Sequence, residues 1–150
     1  MKTLFTIVSL GLGLSLANAQ TAKEADVPTP VKDALKKQYP AAKVEKWEKE
    51  DTNYEAEFHI NKIETCAVYD SNGKFIESEI EIKESELPKG VADYIAKNLA
   101  GKKVKEAAKI TDASGKVSYE AEIDNIDYIF DSNGSLIKKE EEKEKDGDKD

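Results

Sequence analysis

The chain has 150 residues, 36% of them charged, and a formal net charge of −8 at pH 7. All 23 basic residues are lysines, so the bidentate arginine forks that recognise phosphate are missing. Because an acidic chain repels polyanions, we expect no nucleic-acid partner and no attachment to anionic membranes. The single cysteine, Cys66, excludes an intramolecular disulfide bond, so the fold must depend on a hydrophobic core.

Residues 1–19 have the pattern of a secretory signal peptide. Lys2 provides the positive start, Leu4 to Leu16 form an uncharged apolar run, and Ala17-Asn18-Ala19 is a small-x-small cleavage sequence. The apolar run is too short to cross a bilayer as a stable helix. The pattern predicts cleavage after Ala19, a periplasmic or secreted location, and no membrane insertion after cleavage.

The first predicted helix begins near Thr29. Thr29 is a suitable N-cap and Pro30 suits the first helical position, where its missing N–H costs nothing. Val31 and Leu35 lie on one apolar stripe at a four-residue step, and Pro40 ends the helix. The helix is therefore expected to bury one face only.

Alternating polar and apolar residues predict strands after this helix. Tyr54, Ala56 and Phe58 alternate with Glu55 and Glu57, which is typical of a half-buried strand. Short segments containing Gly or Asn separate the strands and suit antiparallel hairpins. The predicted strands are Lys43–Glu50, Tyr54–Ile60, Lys62–Asp70 and Lys74–Lys83.

The same order of motifs occurs twice. The segment Tyr54–Phe58 recurs as Tyr119–Ile123, and Asp70-Ser71-Asn72-Gly73 recurs unchanged as Asp131–Gly134. A second helix is predicted from Pro88 to Gly101, and the order of the motifs favours a duplication. The strands predicted after it are Lys103–Thr111, Val117–Asp124, Asn125–Asp131 and Ser135–Glu140.

These elements predict an α+β fold built as a tandem repeat. Each repeat, residues 20–84 and 85–137, has one helix followed by a four-stranded antiparallel meander. A unit of this size is marginal alone, so we expect one extended antiparallel sheet with both helices on one face. The charged segment 138–150 is expected to be an acidic disordered tail.

No residue pattern points to catalysis or to a metal. His59 is the only histidine, and its spacing to Cys66 fits no zinc motif. No serine lies in a Gly-x-Ser-x-Gly elbow, and the Asp70–Gly73 turn lacks the further ligands of an EF-hand loop. We therefore predict no enzyme activity, no cofactor and no metal site.

Trp47 allows two interpretations. Its step of three from Val44 breaks strict alternation, so either a β-bulge turns Trp47 into the core or it stands on the open sheet face beside Lys49 and Glu57. A core tryptophan is the favoured interpretation, whereas an exposed one would anchor a protein partner. The candidate partner-binding residues are Trp47, Lys49, Glu57 and His59.

The order of several motifs resembles the PepSY-like family of exported bacterial proteins, also described as β-lactamase-inhibitor-protein-like. Trp47, Tyr54–Phe58, the Asp70–Gly73 turn and the Leu87-Pro88 helix start carry this resemblance, which extends from Val27 to Ile137. It implies a tandem α/β repeat with helices on one side of a long antiparallel sheet. It also implies a periplasmic or secreted protein from a family whose members mostly have no known role.

Two classes of function fit the sequence. The leading hypothesis is an exported, non-catalytic binding module that engages a protein or peptide through the open sheet face. The alternative is an envelope protein that binds a small ligand or cations through its acidic clusters. The resemblance does not imply inhibition of a β-lactamase, because true β-lactamase inhibitors use disulfide-closed loops and this chain has one cysteine.

Overall fold

Nine strands and two α-helices make up the part of the chain that the computed structural model describes, residues 20–141. The strands follow chain order in one antiparallel sheet, and the predicted α+β class is confirmed. The elements are β1 (Gln20–Ala22), α1 (Thr29–Gln38), β2 (Val44–Glu50), β3 (Asn53–Ile60), β4 (Ile63–Asp70), β5 (Phe75–Glu81), α2 (Lys89–Asn98), β6 (Glu106–Asp112), β7 (Val117–Ile123), β8 (Ile126–Asp131) and β9 (Leu136–Glu141).

The ends of the chain differ from the sequence prediction. Strand β1 was not predicted, because its three residues carry no pattern. The predicted strand Ser135–Glu140 is present as β9, which continues to Glu141 and pairs Glu140 with Asp127 of β8, so the predicted disordered tail does not start at Lys138. Backbone pairing needs no apolar side chains, so a charged segment can extend a strand. The predicted signal peptide and residues 142–150 lie outside the described residues.

The described residues divide into two units. The first unit comprises residues 20–81 and 109–117, and the second comprises residues 82–108 and 118–141. This division differs from the predicted repeats, because residues 109–117 group with the first unit. Neither α1 nor α2 is long and apolar enough to cross a membrane.

Helix α1 covers the core of the first unit. It begins one residue earlier than predicted, with Pro28 as the N-cap and Thr29 as the first helical residue. Val31 and Leu35 are its buried side chains, and they pack against strand residues such as Phe58. A larger set forms this core: Val27, Val31, Leu35, Trp47, Tyr54, Ala56, Phe58, Ala67 and Tyr69.

A β-bulge in β2 determines where its tryptophan lies. The pairing register with β3 shifts between Val44 and Lys46. Val44 pairs with Phe58 and Trp47 with Ala56, so three steps along β2 match two steps along β3. The extra residue lets both side chains face the core. Trp47 is 5% exposed and belongs to the core of the first unit.

Helix α2 covers the core of the second unit in a similar way. Val91 is its buried residue, and the ring of Tyr94 meets the ring of Phe130 edge-on, with centroids 5.2 Å apart. This geometry suits the quadrupoles of two aromatic rings. The core comprises Leu87, Val91, Ala107, Ala121, Ile123, Tyr128 and Phe130.

Each Asp-Ser-Asn-Gly turn lies against the first turn of the helix in its own unit. Gly73 and Gly134 have φ angles of 81° and 84°, which favour glycine. A Cβ atom on Gly73 would lie 2.4 Å from the carbonyl oxygen of Pro30, and one on Gly134 would lie 2.3 Å from the carbonyl carbon of Gly90. Glycine therefore permits both the backbone conformation and the close approach.

Candidate functional site

The structure separates the four predicted partner-binding residues. Trp47 and Lys49 lie on the face of β2 that α1 covers, whereas Glu57 and His59 lie on the opposite face of β3. The interpretation that placed Trp47 beside Glu57 on an open face is wrong, because the bulge moves Trp47 into the core. Trp47 is therefore not a surface anchor for a partner.

Lys49 and His59 are both at the margin of the first unit. The Nζ atom of Lys49 lies 5.9 Å from the centroid of the Tyr54 ring, and the lysine is exposed. His59 Nδ1 is 2.9 Å from Oε1 of Glu45, and both side chains are exposed. Exposed pairs of this kind contribute little to stability, so neither contact is evidence of a functional site.

The face of β2–β5 that points away from α1 carries a set of carboxylates, and we call it the open face of the first unit. Side chains of each strand point alternately to the two faces of the sheet, and paired residues of neighbouring strands point to the same face. On this face the pairing places acidic side chains around a small apolar centre at Cys66 and Val68. The open face of the first unit comprises Lys46, Glu48, Glu50, Glu55, Glu57, His59, Glu64, Cys66, Val68, Glu77 and Glu79.

Two of these carboxylates face each other directly. Glu48 of β2 pairs with Glu55 of β3, and both are buried. Lys46 Nζ is 2.5 Å from Glu48 Oε1, so the only lysine in this set neutralises Glu48. Like charges directly opposite each other destabilise a sheet. Removing water and adding a neighbouring carboxylate both disfavour ionisation of Glu55.

The protonation of Glu55 follows from these surroundings. Burial, followed by the charge of Glu48, raises the pKa of Glu55 from 4.5 to about 8, although a hydrogen bond from the Cys66 side chain works against this rise. Burial also raises the pKa of the Cys66 thiol. At neutral pH the open face therefore contains a neutral Glu55 carboxyl and an unreactive thiol.

Strand β5 adds two further buried carboxylates. Glu77 lies opposite Val68, and Glu79 lies opposite Cys66. Both glutamates are 2% exposed, although α1 packs on the other face. The sequence shows that these acids alternate with other residues, but with 31 acidic residues in the chain it does not show which two acids lie opposite each other. Only the strand registers reveal which acids face one another.

The corresponding face of the second unit balances its acids with lysines. Glu122 lies opposite Asp127, and Lys105 Nζ is 2.5 Å from Glu122 Oε1. Glu120 lies opposite Ile129, which in turn pairs with Lys138 of β9. This face carries two lysines for a smaller group of acids. The open face of the first unit is therefore the better candidate for a functional surface.

The acidic side chains do not form a metal centre. Among residues 20–141, no three His, Cys, Asp or Glu side chains are grouped so that they could hold a metal ion. The Asp-Ser-Asn-Gly turns use their aspartates internally: Asp70 Oδ1 accepts hydrogen bonds from the backbone N–H groups of Asn72 and Lys74. Hydrogen bonds of this kind stabilise turns.

Similar proteins point to one family. The profile of the family described as "Putative beta-lactamase-inhibitor-like, PepSY-like" matches residues 17–77 and 59–138. The chain has no match among curated proteins.

Solved structures share the fold. A DUF2874 family protein from Bacteroides uniformis is 23% identical with a TM-score of 0.68, over 75% of this chain and 88% of that one. A protein from Bacteroides eggerthii, described as "putative periplasmic proteins", is 19% identical with a TM-score of 0.68, over 76% and 88%. A BLIP-like protein from Bacteroides fragilis is 22% identical with a TM-score of 0.63, over 75% and 85%.

Proposed function

Because this chain belongs to the PepSY-like, β-lactamase-inhibitor-like family, we propose that it is an exported, non-catalytic binding module. In this proposal a protein or peptide partner occupies the open face of the first unit. The signal-peptide pattern supports export with cleavage after Ala19. The periplasmic description of a structural neighbour is consistent with this location.

The observation that carries the proposal is the opposed pair of buried carboxylates. Glu48 and Glu55 face each other on a surface that α1 leaves uncovered, and Glu77 and Glu79 add two more buried acids. A sheet selected for stability alone would avoid this arrangement, because carboxylates directly opposite each other on neighbouring strands repel. Local conflicts of this kind are typical of functional surfaces.

The chemistry of the face suggests the chemistry of the partner. Acidic side chains surround the apolar centre at Cys66 and Val68, with Lys46 as the only lysine of the set. A segment that alternates basic and apolar side chains would complement both parts of this surface. Electrostatic complementarity would also speed association and select against acidic partners.

The repeated motifs support a common origin for the two units. We interpret the two Asp-Ser-Asn-Gly turns, each lying against the first turn of a helix, as the result of a duplication of one helix followed by an antiparallel meander. On this interpretation the second unit kept a face neutralised by lysines, while the first unit acquired the binding role.

The experiment is a titration followed by ¹⁵N NMR. A short peptide of alternating lysine and valine is added to the purified protein, and a glutamate–valine peptide serves as the control ligand. We expect chemical-shift changes from the lysine peptide alone, concentrated in β2 to β5. Shifts spread evenly over both units would contradict a site on the first unit.

Charge reversal at the open face provides a matched control. Glu57→Lys places a cation at a half-buried position of the face, and we expect it to weaken binding of the lysine peptide about tenfold, because like charges meet across the interface. Glu24→Lys changes the net charge equally at an exposed site before α1. If both variants weakened binding equally, the effect would come from net charge alone, and the proposal of a specific binding face would be refuted.

The alternative of a small-ligand or cation binder has its own test. Calcium is added to the purified protein and thermal unfolding is followed by circular dichroism. A ligand that binds only the folded state raises the melting temperature with concentration. A calcium-dependent rise would favour the alternative, and a constant melting temperature would count against it.

A further inference from the structure

Several ionisable side chains lie close to Glu55 on the open face of the first unit. Glu55 is buried, directly opposite Glu48 in β2, and hydrogen-bonded to the side chain of Cys66 in β4. The charged and titratable groups of this face are Lys46, Glu48 and Glu50 from β2, Glu57 and His59 from β3, Glu64 and Cys66 from β4, and Glu77 and Glu79 from β5. Lys46 is the only lysine among them.

Two neighbouring buried carboxylates cannot both ionise without a large cost, because each charge disfavours the other and neither is well hydrated. A proton on Glu55 removes this conflict and turns one acid into a hydrogen-bonding neutral group. Lys46 stabilises the charge that remains on Glu48. The protonated pair is therefore compatible with tight pairing of β2 and β3, and the doubly ionised pair is not.

The strand that would respond is β2. Among residues 20–141, its far side is paired with the three residues of β1, Gln20, Thr21 and Ala22. Strand β4, in contrast, is paired along most of its length with both β3 and β5. Short edge pairing makes β1 and β2 the least supported part of this sheet face.

We propose that the Glu48–Glu55 pair is a proton-sensitive switch that holds β2 against β3 while Glu55 is protonated and releases the β1–β2 edge when Glu55 ionises. The inference concerns the fold of the first unit and does not depend on the proposed binding role. Its mechanism is electrostatic repulsion between two opposed carboxylates in a poorly hydrated face.

The direction of the pH dependence follows from linkage. The pKa of Glu55 is about 8 in the folded protein and near the ordinary value of 4.5 when unfolded. The folded state therefore binds more protons between these values, and the contribution of Glu55 to stability decreases as pH rises through this window. It is complete below pH 4.5 and lost above pH 8, with a change of up to about tenfold per pH unit in the folding equilibrium constant.

The first test is a carbon-13 NMR titration of the Glu55 carboxyl group in the purified protein. We expect a midpoint well above pH 7. A midpoint below pH 6 would overturn the proposal. This measurement needs no variant, so its outcome does not depend on whether a substituted protein folds.

The second test is hydrogen exchange between pH 6 and pH 9, expressed as protection factors so that the intrinsic pH dependence is removed. We expect the protection of β2 amides to fall at least about tenfold relative to β4. Glu55→Gln, which mimics the protonated carboxyl, should abolish this fall. Glu81→Gln removes an exposed charge from β5 and should behave as the parent does. Identical profiles for the two variants would overturn the switch.

Discussion

The cores of the two units have their large side chains at different positions. In the first unit Trp47 of β2 pairs with the small Ala22 of β1. At the matching place in the second unit, Ile82 donates a backbone hydrogen bond of 2.9 Å to the small Ala107. The larger side chain of the pair therefore lies on β2 in the first unit and on the residue that follows β5 in the second unit. The comparison teaches that these cores are specified by total volume and pattern more than by any single large residue.

The aromatic side chains show the same compensation. The second unit has Tyr94 on its helix and Tyr128 on β8, where the first unit has the small residues Ala34 and Ala67. The second unit thus has tyrosines at two positions where the first unit has alanines, and Ala107 where the first unit has Trp47. The two open faces differ in charge. Lysines neutralise acidic side chains on the face of the second unit, whereas the face of the first unit has one lysine, Lys46, for a larger group of acids.

The strongest way to break the comparison is Trp47→Ala. We expect a loss of about 3–5 kcal/mol in the free energy of unfolding, because a large buried side chain leaves a cavity. The double variant Ala22→Ile with Trp47→Ala copies the second unit and should recover roughly 1–2 kcal/mol. Urea denaturation measures both. No recovery in the double variant would contradict the compensation between neighbouring strands.

The glycine turns provide the next largest effect. Gly73→Ala should cost roughly 2–4 kcal/mol, because its Cβ strains a positive φ angle and collides with the backbone of Pro30. Gly115→Ala has the same φ strain with no atom within 4 Å, so we expect only about 1 kcal/mol. Chemical denaturation compares the two variants. Equal costs would show that the close approach to α1 is unimportant.

A substitution at Cys66 sharpens the contrast between the two open faces. The matching residue of the second unit is Asp127, so only the first unit has a thiol at this place. Cys66→Ala removes the hydrogen bond that favours the ionised form of Glu55, and its pKa should rise by roughly half a unit above about 8. NMR titration measures the shift. A lower midpoint in the variant would contradict the assigned direction of this bond.

The hairpin turns give the smallest effect. Asn61 and Lys62 in the first unit, and Asp124 and Asn125 in the second, have positive φ angles. Lysine tolerates this conformation less well than asparagine, so Lys62→Gly should stabilise the protein by about 0.5–1 kcal/mol. Asn125→Gly should change stability less. Thermal denaturation compares them, and a larger gain at Asn125 would contradict the explanation.

Much of the fold could be predicted because local chemistry specifies it. Alternation in Tyr54–Phe58 and the repeated glycine turns predicted the strands and their hairpins, which the structure places at nearly the same residues. The favoured core position of Trp47 is confirmed, but alternation alone left a second position open, because one extra residue in a bulge reverses the direction in which every later side chain points. Strand β1 was missed because three residues give no periodic signal.

The candidate site was less predictable than the fold. Glu57 was predicted to lie on the open face, and it does, but its neighbours depend on strand register rather than on local pattern. Glu48 and Glu55 lie on two strands joined by a turn, and their pairing depends on the register of that turn. Many other pairs of acids were equally compatible with the sequence. Charge at neutral pH also depends on burial, which composition does not reveal.

The turn at Gly115 has a practical consequence for protein engineering. Its Cβ direction is open, and the neighbouring Ser114 is exposed, whereas the turns at Gly73 and Gly134 lie against helices. An epitope or a photo-crosslinking residue can therefore be introduced at Ser114 without meeting a helix, because exposed turn tips tolerate insertion, although a substitution there removes the hydrogen bond from the Ser114 hydroxyl to Asp112 Oδ1. Such a labelled chain would report on its neighbours in living cells without altering either helix.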